Sequence, residues 1–471
     1  MSTSIKLACS LAVAGFSAIP SSSIFAATID RSATATPGHE AALAAQPQGA
    51  ANFIAPANVF VPETSRALPG DEGRVAHTNY FLKNFNGITP HAMTDLRMAE
   101  PAANPTPDAT FAEYPASLAC LYKMGTPYSG CVPTNNATYN ATGGERAIAI
   151  VDAYDNPTAL ADLQYFASYF GLPSPKFVKV AANGNGSCQS IPYSSGWQLE
   201  SSLDTQWSFA MAPSATIILV EACSSSYTDL MYAEQIAEQQ VLAYGGGQIS
   251  NSWSSGEFSN ESSSWDWVFR ANWTAGRPIS FFFSAGDSGL GAQYPSSSPW
   301  VVSAGGTTIN RNATTGAFMS ESCWAGSGGG TSAYETYSSS FGTGTGPWTN
   351  FQYPQFGQSA RRTPDMSFDA DPASGVWVRS NGGWYVVGGT SLSAPALAGI
   401  VNNSANRLGV APSGGGYYSN MEDNLIYAEL ATNREGHSDF YDVTTGSNGA
   451  SAGAGWDYCT GVGSPRGHNG K

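Results

Sequence analysis

The chain has 471 residues, 42% of them hydrophobic, enough for one large domain or roughly two to three ordinary ones. Only 12% are charged, and 35 acids against 20 bases leave a net charge of −15, which argues against nucleic acid as a partner because phosphates need clustered Lys and Arg. No apolar run of about 18 residues follows the N-terminus, so no membrane anchoring is expected, and the acidic balance suits an acidic medium.

Lys6, the apolar stretch from Leu7 to Ile19 and the small residues around Ala26 read as an export signal over residues 1–26, which implies a secreted, extracellular protein. Export permits disulfides. Of seven cysteines Cys9 leaves with the signal, and the remaining six allow up to three bridges. Cys120 with Cys131, across a short Gly/Pro loop, is the simplest pair; the pairing is otherwise open. Zinc-type cysteine spacing is absent.

Residues 27–108 are rich in Ala, Pro and Thr and read as an extended or partly ordered segment. From there to residue 471 the texture is that of a folded domain. Ala147 to Val151 is a continuous apolar, β-branched run, as in a buried parallel strand. A helix follows near Leu160 to Phe170, then a strand near Lys176 to Ala181 and a helix near Gln198 to Met211. Next come a strand at Thr216 to Glu221, a helix near Asp229 to Gln240 and a strand at Gln248 to Ser252. A helix near Trp265 to Trp273 and a strand from Ile279 to Ala285 continue the alternation. This order implies an α/β fold, with a mostly parallel sheet and helices on both faces. Its ligand sites lie at the carboxyl ends of the strands.

Gly388-Gly389-Thr390-Ser391-Leu392-Ser393-Ala394-Pro395 opens an apolar helix. Glycines let backbone approach closely, and a helix start offers free N–H groups to an oxyanion. From these residues alone, Ser391 is either a nucleophile or an ordinary helix cap. The segment resembles the G-T-S-x-S-x-P signature of subtilisin-like and sedolisin-like serine peptidases. A subtilisin triad in the usual chain order needs a His between its Asp and its Ser, and no histidine lies between residues 92 and 391.

Sedolisins use a Glu and an Asp four residues apart on one helix instead. Trp197-Gln198-Leu199-Glu200-Ser201-Ser202-Leu203-Asp204 resembles that E-x-x-x-D pattern, and positions i and i+4 share a helix face. Without the resemblance, two acids at this spacing are usually a solvated face. Phe283-Ser284-Ala285-Gly286-Asp287-Ser288-Gly289 resembles the family's S-A-G-D-x-G turn, whose Asp stands where subtilisins carry an oxyanion Asn. That role requires a protonated Asp287; the plainer reading is a turn Asp capping backbone N–H groups. Segments at Ala304–Thr308, Ser327–Ser332 and Arg362–Ser367 match in the same order, so the resemblance runs from about Phe111 to the end.

The resemblance implies a subtilisin-like fold and a serine-carboxyl endopeptidase acting on proteins or peptides in acid. Its catalytic residues are Glu200, Asp204, Asp287 and Ser391. It also implies one structural Ca²⁺ held by the carboxylates of Asp442 and Asp457 and the carbonyls of Val443, Gly453 and Gly455; a Gly-rich surface turn is the plainer alternative. Some members link an acid and a Trp to the Glu, and Asp152 and Trp253 occupy those positions; Asp152 is equally a strand-end cap. A monomer is expected. The departure from the family lies in residues 27–108, about 80 residues where a much longer folded prosegment is usual. A secreted homologue without activity, serving as a binding or surface protein, is therefore the rival reading. A carbohydrate-active enzyme using Glu200 would explain neither the Ser391 nor the Asp287 turn.

Overall fold

The computed structural model describes residues 53–85, 92–102, 112–123, 130–270, 272–273, 279–336, 360–404, 417–418, 421–428, 430 and 438–468. The expected export signal lies outside them. Eight strands form the central sheet: β1 (Ala147–Ala153), β2 (Lys176–Ala182), β3 (Thr216–Ala222), β4 (Gly247–Asn251), β5 (Ile279–Ser284), β6 (Val302–Arg311), β7 (Phe318–Cys323) and β8 (Met366–Asp369). Their order is β7-β6-β5-β4-β1-β3-β2, with β8 also on β6, and only the β6–β7 pair is antiparallel.

The apolar run of β1 is buried throughout because both faces of the sheet are covered. Successive side chains point to opposite faces. Ile148 and Ile150 join one core with helices α1 (Ala159–Tyr169), α2 (Ser195–Met211) and α4 (Thr390–Asn403). Ala147, Ala149 and Val151 join the other, with α3 (Tyr227–Ala243). Phe282 divides from Phe281 and Phe283 in the same way.

One helix departs from expectation. It spans Glu261–Phe269 rather than 265–273, because Glu261 accepts from the Phe258 N–H (2.7 Å) and starts it a turn earlier. Asn272–Trp273 pairs instead as a short strand with Tyr417–Tyr418. The bridges are Cys120–Cys131, Cys188–Cys223 and Cys323–Cys459. Among the described residues no helix is long and apolar enough to cross a membrane.

The described part of the N-terminal segment combines short strands with single helical turns at Glu63–Ser65 and Met93–Leu96, and is woven into the domain. Val59–Phe60 and Phe81–Lys83 complete a four-stranded sheet with Val376–Ser380 and Gly383–Gly388. His77–Thr78 pairs antiparallel with Trp253–Gly256, the strand that follows β4.

Candidate active site

The strand Gly383–Gly388 runs through Gly389 into α4, so Ser391 is the second residue of that helix. Gly389 has φ +124°, and a Cβ there would lie 2.2 Å from the Asn79 carbonyl oxygen and 2.5 Å from Asp287 Oδ2. Any side chain would therefore fill the space beside Ser391. Helix α4 packs on α2 through small residues; a Cβ on Gly399 would meet Ser208 O and Met211 Cβ, each at 2.7 Å. This close approach brings the acids of α2 to Ser391. Ser391 itself is 0% exposed.

Glu200 and Asp204 are one turn apart and fully buried. Asp204 Oδ1 accepts from Ser252 Oγ (3.0 Å), which also lies 3.2 Å from the Ser391 carbonyl oxygen. Neither Glu200 oxygen has a partner at ordinary hydrogen-bond distance, yet the Ser391 hydroxyl is near enough to favour its charged form. Burial, then the charges of Asp204 and Asp152, pushes the Glu200 carboxyl well above the usual range. Burial and then Asp152 do the same to Asp204. Neighbouring carboxyls in such a site cannot all ionise and titrate as a unit.

Asp152, the residue before the end of β1, has both carboxyl oxygens buried and unpartnered, and is pushed up by burial and then by Glu221. It thus makes a third acid in electrostatic contact with the pair. Trp253 takes no direct part in that contact, because its indole N–H donates to the Val151 carbonyl (3.0 Å).

Asp287 sits in the turn after β5, where Gly286 has φ +104°. Its Oδ1 accepts from Thr390 N (2.8 Å) and Thr390 Oγ1 (2.7 Å), while Oδ2 is buried without a partner. Burial pushes this carboxyl well up, against the opposing Thr390 bonds. The neutral acid is favoured, and Oδ2 is the oxygen left to carry its proton. Gly328 N–H donates to Gly286 O (2.7 Å), so the Ser327–Ser332 motif supports this turn. The Arg362–Ser367 motif is a core element: Asp365 pairs with Arg361, both 0% exposed.

Sequence reasoning missed the segment that closes the site. Asn79 N–H donates to Ser252 O (3.3 Å) and to Ser391 Oγ (3.1 Å), and Asn79 O accepts from Ser391 N–H (2.9 Å). Nothing local in the Ala/Pro/Thr-rich segment marks Asn79. Ser252 was within reach, since it follows the end of a central parallel strand.

The residues expected to hold calcium lie in one loop system. Gly455 N–H donates to Asp442 Oδ2 (3.1 Å), and Gly453 N–H donates to Asp457 Oδ2 (3.0 Å). The disulfide at Cys459 anchors its end.

No family model matches the chain. It is 32% identical to kumamolisin of Bacillus sp. (strain MN-32) over 360 residues, 69% of this chain and 59% of that protein. To sedolisin of Pseudomonas sp. (strain 101) it is 26% identical over 365 residues, 70% of this chain and 58% of that one. The chain therefore spans less than two thirds of the length of these curated relatives. A solved structure of Pseudomonas sedolisin, described as a serine-carboxyl proteinase complexed with two molecules of pseudo-iodotyrostatin, superposes with a TM-score of 0.58 at 25% identity. It covers 76% of this chain and 96% of its own. The fold is thus a subtilisin-like α/β domain whose serine faces carboxyl groups. The chain belongs to the sedolisin family.

Proposed function

We propose that this is a secreted serine-carboxyl endopeptidase that hydrolyses proteins or peptides in acid, as a monomer, with no nucleic-acid or membrane partner. The observation that carries the reading is a peptide carbonyl, that of Asn79, 2.9 Å from the Ser391 N–H at the start of α4. In the proposed reaction Ser391 Oγ attacks such a carbonyl carbon and Glu200 takes the hydroxyl proton. Asp204 holds and polarises Glu200. The oxyanion is met by the Ser391 N–H and by protonated Asp287. The proton then passes to the leaving nitrogen, and water hydrolyses the acyl-enzyme. Incubating the purified chain with denatured protein between about pH 3 and pH 5 tests this, because free carboxyls titrate near there. Peptide release is expected. Its absence at every pH would favour the inactive binding homologue, a reading that the filled cleft supports.

We also propose the calcium site. Asp442, Asp457 and the carbonyls of Val443, Gly453 and Gly455 are hard oxygen donors, the kind Ca²⁺ takes six to eight of, and the Gly453 and Gly455 bonds gather the loop around them. Bound there, the ion neutralises two carboxylates and ties the loop down. It stabilises by mass action, so exhaustive chelation should lower the melting temperature by on the order of 5 °C. Calorimetry with and without added Ca²⁺ checks this; an unchanged melt with no calcium by elemental analysis removes the site.

A further inference from the structure

Residues 77–82 lie in the cleft as a peptide would. His77 and Thr78 pair antiparallel with Ser254 and Trp253 on one side of Ser391. Phe81 and Leu82 pair antiparallel with Gly388 and Val387 on the other. An extended chain adding to exposed edges is a general mode of peptide recognition. Between the two pairings stands the Asn79–Tyr80 bond, with its carbonyl held by the Ser391 N–H. The Asn79 side chain enters a polar pocket. Its Nδ2 donates to Ser284 Oγ (2.7 Å) and Ser254 Oγ (2.9 Å), and its Oδ1 lies 3.1 Å from Ser254 Oγ. Ser254 Oγ is also 2.5 Å from Gln293 Oε1. Both serines are fully buried.

We infer that this pocket is the specificity site for the residue whose carbonyl is attacked, and that it selects asparagine. The inference rests on the peptidase reading and adds its substrate class. An apolar side chain would leave the buried Ser284 hydroxyl without its side-chain partner, and would leave Ser254 only its contact with Gln293. An unpaired buried polar group is expensive, and sites built to hydrogen-bond a polar group reject analogues lacking it. The chain's own first substrate is then Asn79–Tyr80. Ser391 Oγ bonds to the Asn79 carbonyl carbon, the C–N bond breaks, and the hydroxyl proton reaches the Tyr80 nitrogen by way of Glu200. Water then releases the new Asn79 carboxyl group and restores the serine hydroxyl.

The experiment uses the full chain brought to about pH 4 and matched peptides that differ only in Asn, Gln, Asp, Leu or Phe at that position. The Asn peptide should exceed the Leu peptide by at least about 10-fold in kcat/KM. Ser284→Ala and, separately, Ser254→Ala should shrink that ratio by lowering kcat/KM for Asn more than for Leu. Mass spectrometry of the acidified chain should find a new N-terminus at Tyr80. Faster cleavage of the Leu or Phe peptide, or an active chain whose new N-terminus lies elsewhere, overturns the inference and leaves the peptidase reading standing. No cleavage of any peptide or denatured protein removes both.

Discussion

Replacing Ser391 with alanine should lower turnover by about 10⁶-fold, the scale seen when a serine-peptidase nucleophile is removed. The fold should survive. The Ser391 hydroxyl donates to Ser252 O (3.2 Å) and accepts from Asn79 N–H, but Asn79 N–H keeps its bond to Ser252 O, so no buried donor is orphaned. Losing one such hydrogen bond costs about 1 kcal/mol. Circular dichroism melts should therefore nearly coincide while hydrolysis disappears. The variant also separates the two readings of the protein. A peptidase loses its activity with the hydroxyl, whereas a binding protein keeps its partner. Turnover that persists in Ser391→Ala would place the chemistry elsewhere in the cleft.

Asp287→Asn should be slower than wild type at the acidic optimum, and its alkaline limb should move upward or flatten. In the proposed reaction Glu200 must be ionised to take the Ser391 proton, and Asp287 must be protonated to meet the oxyanion. Burial pushes both carboxyls up, so the working window shifts upward relative to free carboxyls while the segment at Asn79 seals the cleft. Removing that segment readmits water and returns both toward the acidic range. As the pH rises past the Asp287 value, its charge opposes the oxyanion. Losing one such donor typically costs on the order of 100- to 1,000-fold in rate. An amide donates at every pH, which is why the variant should lose the limb. A limb unmoved in Asp287→Asn assigns it to the Glu200–Asp204–Asp152 group or to unfolding.

Unfolding has its own sign. Asp266 is pushed up to about 6, Glu261 to about 9 and Glu335 to about 10, in each case mainly by burial. An unfolded carboxyl releases its proton near pH 4. Between there and the folded values the native state holds more protons, so the stability of these groups is complete below about pH 4 and is lost as the pH rises through 6 and then 9 to 10. Melts recorded across the same range as the activity profile separate loss of fold from ionisation of Asp287.

The local geometry around the candidate site residues was legible in the chain, although only the resemblance joined them into one site. Glu200 and Asp204 lie one helical turn apart, and that spacing alone puts them on one face. The glycines before Ser391 and Asp287 mark two turns, and Gly389 and Gly286 do adopt positive φ there. The alternation of apolar runs and helical periods yielded the parallel sheet, since burial on both faces of β1 leaves an unbroken hydrophobic run. Only the tertiary structure decided what surrounds these motifs. The Asn79–Ser391 hydrogen bond joins residues 312 positions apart, and no period or propensity reports such a contact. For the same reason the sequence left the Cys188–Cys223 and Cys323–Cys459 pairings open, and did not tell a capping role for Asp152 from membership of a buried acid group. Local pattern reflects which face of an element is buried; which distant segment buries it is settled by the packing of the whole chain.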